Sequence, residues 1–377
     1  MAALACNECD VQNTRFVEVI LSRHLLLWVV LCYNLFLLAV VAVALRRLRR
    51  AAYPAVHVAV SAVVLLALAW LTAIVTPLNG FGRIRLLTWA AFLHAPALFL
   101  GSGLLIRRRR RALAYACVGV TIAILIVAGD AFLIEPRWLE VSHTTLRSAR
   151  LSAPARIAVI ADLQTDAPGA YEARALRLAQ TENPDLILFA GDYIQQAAPA
   201  AYAGDVDSLN AILRGAELRA PLGVYAVAGN VDWVAQWGRI FAGASVQLFT
   251  ATTTIDLGPL VLTGLTFEDS ANTELTVGAE EKYHIVLGHT PNFSRGAVNA
   301  DLLIAGHTHG GQVRLPLLGP PMILAAVPRA WAAGVHEIAP GKILAVSRGV
   351  GMERDQAPRL RFLCRPDIMI LDLLPAE

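Results

Sequence analysis

Hydrophobic and polar positions are arranged in two unlike ways along this chain. Up to about residue 135 they form blocks. Leu25–Leu45 carries no charge between His24 and Arg46, and Val56–Val75 follows. Leu86–Ile106 is a third block, with His94 and Pro96 inside it, and the fourth runs from Ala112 past Asp130 to Ile134. Each block is near the roughly 20 residues that a helix needs to cross a bilayer. Each is also apolar all round, whereas a helix lying on a soluble core keeps a polar face. The pattern predicts an all-α, four-span transmembrane region over residues 1–135, with helices near 25–45, 56–75, 86–106 and 112–134.

Beyond a short polar stretch at 136–154, expected to be a linker, the pattern changes to brief apolar runs between amphipathic segments. Strands are predicted at 156–161, 186–190, 224–228, 260–265, 284–287, 302–305, 343–347 and 368–371. Helices are predicted at 171–182, 205–218 and 232–242. Continuous apolar strands alternating with helices imply sheets covered on both faces. Residues 155–377 are therefore expected to form one α/β domain.

Composition sharpens the division. Of all residues 56% are hydrophobic and 16% charged, with a mean hydropathy of +0.55, which excludes a largely disordered chain. Residues 1–150 hold 16 Arg and no Lys against 6 acids, a balance of +10; the rest hold 16 basic and 23 acidic residues, or −7. The basic charge thus sits away from the α/β part, which argues against a nucleic-acid partner. Arg46, Arg47, Arg49 and Arg50 lie between the first two blocks and Arg107–Arg111 between the last two. Basic short loops stay cytoplasmic, so both chain ends and the α/β domain are expected to be extracytoplasmic. Cys6 and Cys9 have metal-like spacing without a second pair, and Cys32 and Cys117 suit buried thiols better. His94 and Asp130 are the ionisable groups within the blocks; Asp130 is close enough to a block end to reach the interface, and His94 can bond a carbonyl freed by Pro96.

The candidate chemistry lies where strands end. Asp162, Asp192, Asn230, His289 and His307 each follow a predicted strand within a few residues. Strand ends in layered α/β folds share one crevice, so residues far apart in sequence can meet. Oxygen and imidazole donors suit a divalent Mn, Fe or Zn, and the lack of thiolates disfavours a structural zinc. The run Gly306-His307-Thr308-His309-Gly310-Gly311 places two imidazoles in a loop with room to turn both inward. Any one Gly-Asp or Gly-Asn is ordinarily a turn; the ordered set of Asp162-x-Gln164, Gly191-Asp192, Gly229-Asn230, Gly288-His289 and Gly306-His307-x-His309 is far more specific.

That set resembles the calcineurin-like metallophosphoesterase superfamily across residues 155–373. The segments at 347–354 and 361–373 are similar to its bacterial membrane-linked branch, the YkuE- and YaeI-like enzymes. The resemblance implies a four-layer αββα sandwich holding two divalent metal ions. Asp162 and His309 would hold the first metal, Asp192 would bridge, and Asn230, His289 and His307 would hold the second. Two positions depart from the family. Gln164 stands where a histidine ligand is usual, so any coordination there is by a neutral carbonyl oxygen. Val231 stands where a histidine usually serves the leaving group, while Asp232 is kept.

The implied activity is metal-dependent phosphoester hydrolysis, on a phosphodiester or pyrophosphate, with metal-activated hydroxide attacking phosphorus. Asp192, Asn230, His289 and Asp232 are the residues expected to carry the chemistry. Without a histidine at 231, substrates with acidic leaving groups are favoured. Four helices would keep the site near membrane lipids, which makes a lipid-borne substrate a candidate beside soluble ones. The alternatives are a membrane sensor that binds metal or a phosphorylated ligand without turnover, motivated by Gln164 and Val231, and a transporter, disfavoured by the lack of charge inside the blocks.

Overall fold

The computed structural model describes residues 2–196, 198–232 and 237–376, with side chains from residue 25 onward except those of 199 and 200. The side chains of Cys6 and Cys9 and most of the first turns of the helix expected at 232–242 therefore lie outside the described residues. The chain forms two compact units. One comprises residues 1–130 with 355–358, the other residues 131–354 with 359–377.

The first unit is helical: α1 (Ala2–Leu48), α2 (Pro54–Val75), α3 (Gly80–Trp89), α4 (Ala95–Ile106) and α5 (Arg111–Gly129). A π-turn over Ala90–His94 joins α3 to α4 without a break, and another follows α5 at Asp130–Ile134. Four stretches, Leu25–Leu48, Pro54–Val75, Gly80–Ile106 and Arg111–Arg137, are long and apolar enough to cross a membrane by length and composition. They coincide with the four apolar blocks. Buried Leu37, Leu65, Ala69, Leu86 and Leu98 pack α1, α2, α3 and α4 together. His94 does not bond a carbonyl freed by Pro96. Its Nε2–H donates to Asn34 Oδ1 across the bundle at 2.8 Å, the sort of side-chain pairing that joins helices in an apolar medium.

The second unit is built on two six-stranded mixed sheets. Its strands are β1 (Glu140–Ser148), β2 (Ala155–Ile160), β3 (Leu186–Phe189), β4 (Val224–Ala226), β5 (Gln247–Leu248), β6 (Thr253–Asp256) and β7 (Leu260–Gly264), then β8 (Thr276–Val277), β9 (Tyr283–Leu287), β10 (Ala297–Val298), β11 (Leu302–Ala305), β12 (Gly334–Ala339), β13 (Lys342–Val346) and β14 (Asp367–Pro375). One sheet runs β1-β14-β2-β3-β4-β5, the other β12-β13-β11-β9-β7-β6, and β8 pairs only with β10. The period-2 alternation of a strand divides each short apolar run between two cores. Ile157, Val159, Leu186 and Leu188 meet Leu262, Ile285, Leu287 and Ile304 between the sheets. Ala158, Ile160, Ile187 and Phe189 face outward onto α6 (Ala170–Thr181) and α7 (Pro199–Ala216). On the other outer face, Val286, Leu303 and Val346 are covered by Phe293 and by the segment holding Trp331. The result is the expected layered αββα arrangement, although short turns and α8 (Phe267–Ala271) replace long helices on the second sheet.

Residues 140–148 are not linker. They form β1, parallel to β14 from Glu140↔Asp367 to Ser148↔Pro375. Polar residues dominate β1 because it is an edge strand with a half-exposed face, and such strands lack the continuous apolar run that marks the buried ones. At 237–241 a 3-10 turn stands where the end of a helix was expected.

Candidate metal centre

Each candidate residue sits in a loop leaving one sheet edge. Asp162 and Gln164 follow β2, Asp192 follows β3, Asn230 follows β4, His289 follows β9, and His307 and His309 follow β11. These strands are parallel neighbours within their sheets, so their carboxyl ends open on the same side. The loops continue the sheet's hydrogen bonding, with Asp162 N donating to Gly191 O at 3.0 Å and Gln164 N to Asp192 O at 2.9 Å. Backbone φ is positive at Asp162 (50°), Gln164 (33°), Asp192 (57°), His307 (68°) and His309 (48°). A side chain in the left-handed region costs about 1–3 kcal/mol. That five of the seven predicted ligands adopt it shows how tightly the surrounding chain dictates their direction. At Gly229 a Cβ would run into the Asp192 carboxylate, and at Gly191 (φ 88°) it would lie 2.7 Å from His289 Nδ1.

The tightest grouping is Asp192, His289 and His307, whose donor atoms lie within 4.8 Å of one another. Hydrogen bonds fix which nitrogens face inward. His289 Nδ1 lies 2.7 Å from Ala190 O and His307 Nε2 lies 3.0 Å from Leu324 O; a carbonyl only accepts, so both of these nitrogens carry the proton. The remaining nitrogens, His289 Nε2 and His307 Nδ1, are 3.1 Å apart, and His289 Nε2 is also 3.1 Å from Asn230 Oδ1 and 3.2 Å from Asp192 Oδ2. Four lone-pair atoms thus converge on one small volume. A shared proton or a cation reconciles them, and the donor set fits a divalent ion. Carbonyl-anchored histidines are the usual backing of a metal ligand.

The charges agree with this geometry. Burial opposes a proton on His289, yet the Asp192 and Asp162 carboxylates prevail and raise it to about 9. Burial, reinforced by charge on His289, pushes His307 down to about 4. Asp192, although buried, is held below the ordinary carboxylate range by His289 and by the Val231 N–H.

Asp162, Gln164 and His309 sit beside this group without joining its tight cluster. Asp162 accepts the His307 N–H at 3.0 and 3.1 Å, which ties the first sheet to the second, and burial raises its carboxyl to about 8. Among the described residues, both ring nitrogens of buried His309 lack a hydrogen-bond partner, as does Gln164 Oε1. Such orphaned buried atoms are rare unless something binds there. The orientation of the Gln164 amide is fixed by a chain of obligatory donors. Arg354 N–H can only donate, and it donates to Gln195 Oε1 at 2.7 Å. Gln195 Nε2 must therefore face the Glu353 carboxylate, at 2.6 Å, and Gln164 Nε2 donates to Gln195 Oε1 at 2.9 Å and Glu353 Oε2 at 3.1 Å. Flipping Gln164 would set its oxygen against two acceptors. Its carbonyl oxygen is the atom left over.

Residues 155–311 match the calcineurin-like phosphoesterase family. The matched stretch is similar to calcineurin-like phosphoesterases and runs from β2 to the loop after β11. The chain is 29% identical over 220 residues to a metallophosphoesterase of Aquifex aeolicus, covering 52% of this chain and 76% of that protein. It is 28% identical over 250 residues to the phosphodiesterase YaeI of Escherichia coli (64% and 90%) and 27% identical over 268 residues to the metallophosphoesterase YkuE of Bacillus subtilis (65% and 89%).

Within the second unit, Asp232 is engaged elsewhere. Its Oδ2 accepts Asp192 N–H at 2.7 Å and Gly229 N–H at 2.8 Å, and its Oδ1 accepts Tyr193 N–H at 3.0 Å. It binds the two ligand loops to each other. Val231 contributes its backbone N–H, 2.9 Å from Asp192 Oδ1. Sequence reasoning missed Glu353 and Gln195, and also Arg361, which is wholly buried and donates to the carbonyls of Arg348, Gly349, Gly351 and Cys364. No local pattern marks such residues, because the partners of Glu353 and Gln195 are side chains from other loops and those of Arg361 are backbone carbonyls. Arg348 is structural, paired with Asp367 and Glu140.

Proposed function

We propose that this chain is a membrane-anchored, dinuclear metal-dependent phosphoester hydrolase, acting on a phosphodiester or pyrophosphate. The observation that carries the reading is the pair of imidazoles whose N–H groups are committed to Ala190 O and Leu324 O, leaving lone pairs turned toward Asp192 and Asn230. In this reading Asn230, His289 and His307 would hold one ion, Asp162, His309 and Gln164 Oε1 would hold the other, and Asp192 would serve both. When bound, two divalent ions activate a water as nucleophile and offset the charge on the phosphoryl oxygens. The protein's own part is to fix the ligands: Asp232 holds the Asp192 and Gly229 loops, and Asp162 joins the two sheets. No side chain at 231 can donate a proton, and Asp232 is committed to three backbone donors, so protonation of the leaving group falls to water. Leaving groups that are good acids are favoured. The four apolar helices support the anchoring, and the arginine-rich loops at 46–50 and 107–111 support an extracytoplasmic domain in a bacterial cell membrane.

The test is hydrolysis of methyl p-nitrophenyl phosphate by the full chain in lipid nanodiscs with added Mn²⁺, alongside metal analysis. Turnover abolished by Asp192→Asn, with two ions per chain in the wild type, is expected. Two bound ions with no turnover on diesters or pyrophosphates would replace the enzyme by a metal-binding sensor.

A further inference from the structure

The second unit carries an apolar surface that its own core does not use. Between β11 and β12 the chain runs through a loop in which Leu315, Leu317, Leu318, Met322 and Leu324 are all exposed, Leu317 completely and Leu318 by 76%. Soluble surfaces seldom group large side chains in this way without an occupant. From Leu302 to His336 the sequence has no Asp or Glu. Exposed Arg295 and Arg329 brace the loop, donating to Ala326 O at 3.0 Å and Pro321 O at 3.4 Å. Leucines in a stretch whose only charged side chains are arginines are the composition of an interfacial segment that meets anionic lipid.

Two further observations indicate what covers it. The loop's first residues are stitched to the C-terminal segment, with Phe362 N–H donating to Gln312 O and Arg314 N–H to Phe362 O, both at 2.9 Å. The next two residues of that segment, Leu363 and Cys364, donate their N–H groups to the buried Glu135 carboxylate. Glu135 lies in the fourth apolar stretch, Arg111–Arg137, directly after exposed Leu133 and Ile134. Trp138 follows, half exposed, with the Arg365 guanidinium 3.7 Å above its ring; an amphipathic aromatic beside a cation is typical of the headgroup level. The loop is thus hydrogen-bonded, through one short segment, to the place where an apolar helix ends. At its other end, Leu324 O holds the His307 imidazole.

We infer that the 315–324 loop is seated in the bilayer surface and delivers a substrate bearing a hydrocarbon chain to the metal centre, so that the substrate class is a lipid-anchored phosphoester. This rests on the hydrolase reading above. The leucines take the chain, the arginines attract the phosphate end, and His307 lies where the loop meets the site.

The full chain is reconstituted in vesicles of phosphatidylethanolamine and phosphatidylglycerol. In a Cys6→Ser, Cys9→Ser, Cys32→Ser background, a nitrobenzoxadiazole label at Leu317→Cys is expected to show blue-shifted emission and quenching by doxyl-labelled lipids. Emission typical of water, unaffected by those lipids, would overturn the seating whether or not the protein is an enzyme. Hexadecyl and methyl p-nitrophenyl phosphate share one scissile bond and differ in the chain alone. Leu317→Asp with Leu318→Asp is expected to cut hexadecyl turnover by about tenfold or more while methyl turnover stays within about twofold, since only the first substrate uses apolar contacts there. Equal loss on both substrates, or no loss on either, would refute the delivery role. Failure of the wild type on both esters, with the label still quenched, would reject hydrolysis of these diesters and keep the membrane-seated loop.

Discussion

Gln164 offers a carbonyl oxygen where an imidazole is expected, and the structure holds that oxygen in place with Glu353 and Gln195. A neutral oxygen is a weaker ligand than imidazole for Mn, Fe or Zn, so an ion at the first position should be held less tightly than it would be with a histidine at 164. Gln164→Leu is expected to reduce retained metal from two ions to one per chain after dialysis, measured by elemental analysis, while Gln164→His keeps both. Glu353→Leu should weaken retention in the same direction but less than Gln164→Leu, because the amide loses one of its two acceptors and keeps Gln195 Oε1. If all three variants bind metal as the wild type does, the oxygen is not a ligand. The second departure has its own readout. Val231→His should restore a proton donor and raise turnover of alkyl diesters by about 10²-fold or more, with little change on p-nitrophenyl esters. A rate profile over leaving-group acidity that is flat in the wild type would contradict the reading.

At the level of strands and loops, the buried elements were legible and the exposed ones were not. β2, β3, β9 and β11 stand within a residue or so of their expected positions, because burial on both faces leaves an uninterrupted apolar run such as Ile157–Ala161. β1 and β12 are half-exposed edge strands, so their sequences read as polar connection. The candidate residues Asp192, Asn230, His289 and His307 stood out for a related reason: each follows a glycine, and glycine beside an acid, amide or imidazole is uncommon in a strand. The Glu353–Gln195–Gln164 chain was not, since it depends on three loops meeting. Strand β9 also carries a pH-sensitive element apart from the metal centre. His284 is buried, with Thr263 Oγ1 2.7 Å from its Nε2 and Asn299 O 3.3 Å from its Nδ1, and Glu280, Asp301 and Arg150 nearby. Burial lowers its pKa despite the Asn299, Glu280 and Asp301 contributions. The unfolded chain therefore binds the proton more readily, and His284 favours the fold above the unfolded pKa of about 6.5, losing that contribution as pH falls below it. His284→Gln should flatten the fall in denaturation midpoint between about pH 7 and about pH 5. An unchanged slope would mean that other groups carry the acid sensitivity.

For the whole molecule, the proposed metal centre has a consequence: metal loading and folding of the second unit would be one equilibrium. Asp162 follows a strand of one sheet and His307 a strand of the other, and the His307 N–H already bonds the Asp162 carboxylate. An ion ligated from both sheets would bind the folded unit and not the unfolded chain, stabilising it by about 2.7 kcal/mol at a hundredfold excess over Kd. The first unit contains none of these ligands, so thermal unfolding followed by tryptophan emission and helical circular dichroism should show Mn²⁺ raising the α/β transition alone. Protons compete for the same atoms. Asp162 is raised to about 8 and His289 to about 9, and each must give up its proton to ligate. Below about pH 8, loading displaces about two protons, so affinity weakens steeply as pH falls, and above about pH 9 it levels off. The Mn²⁺-induced rise in midpoint should therefore be large near pH 8 and shrink toward pH 6, with calorimetric titration in buffers of different ionisation enthalpy counting the released protons. A rise that is equal at both pH values, or that moves the helical unit as well, would show that the ion acts somewhere other than on these carboxylates and imidazoles.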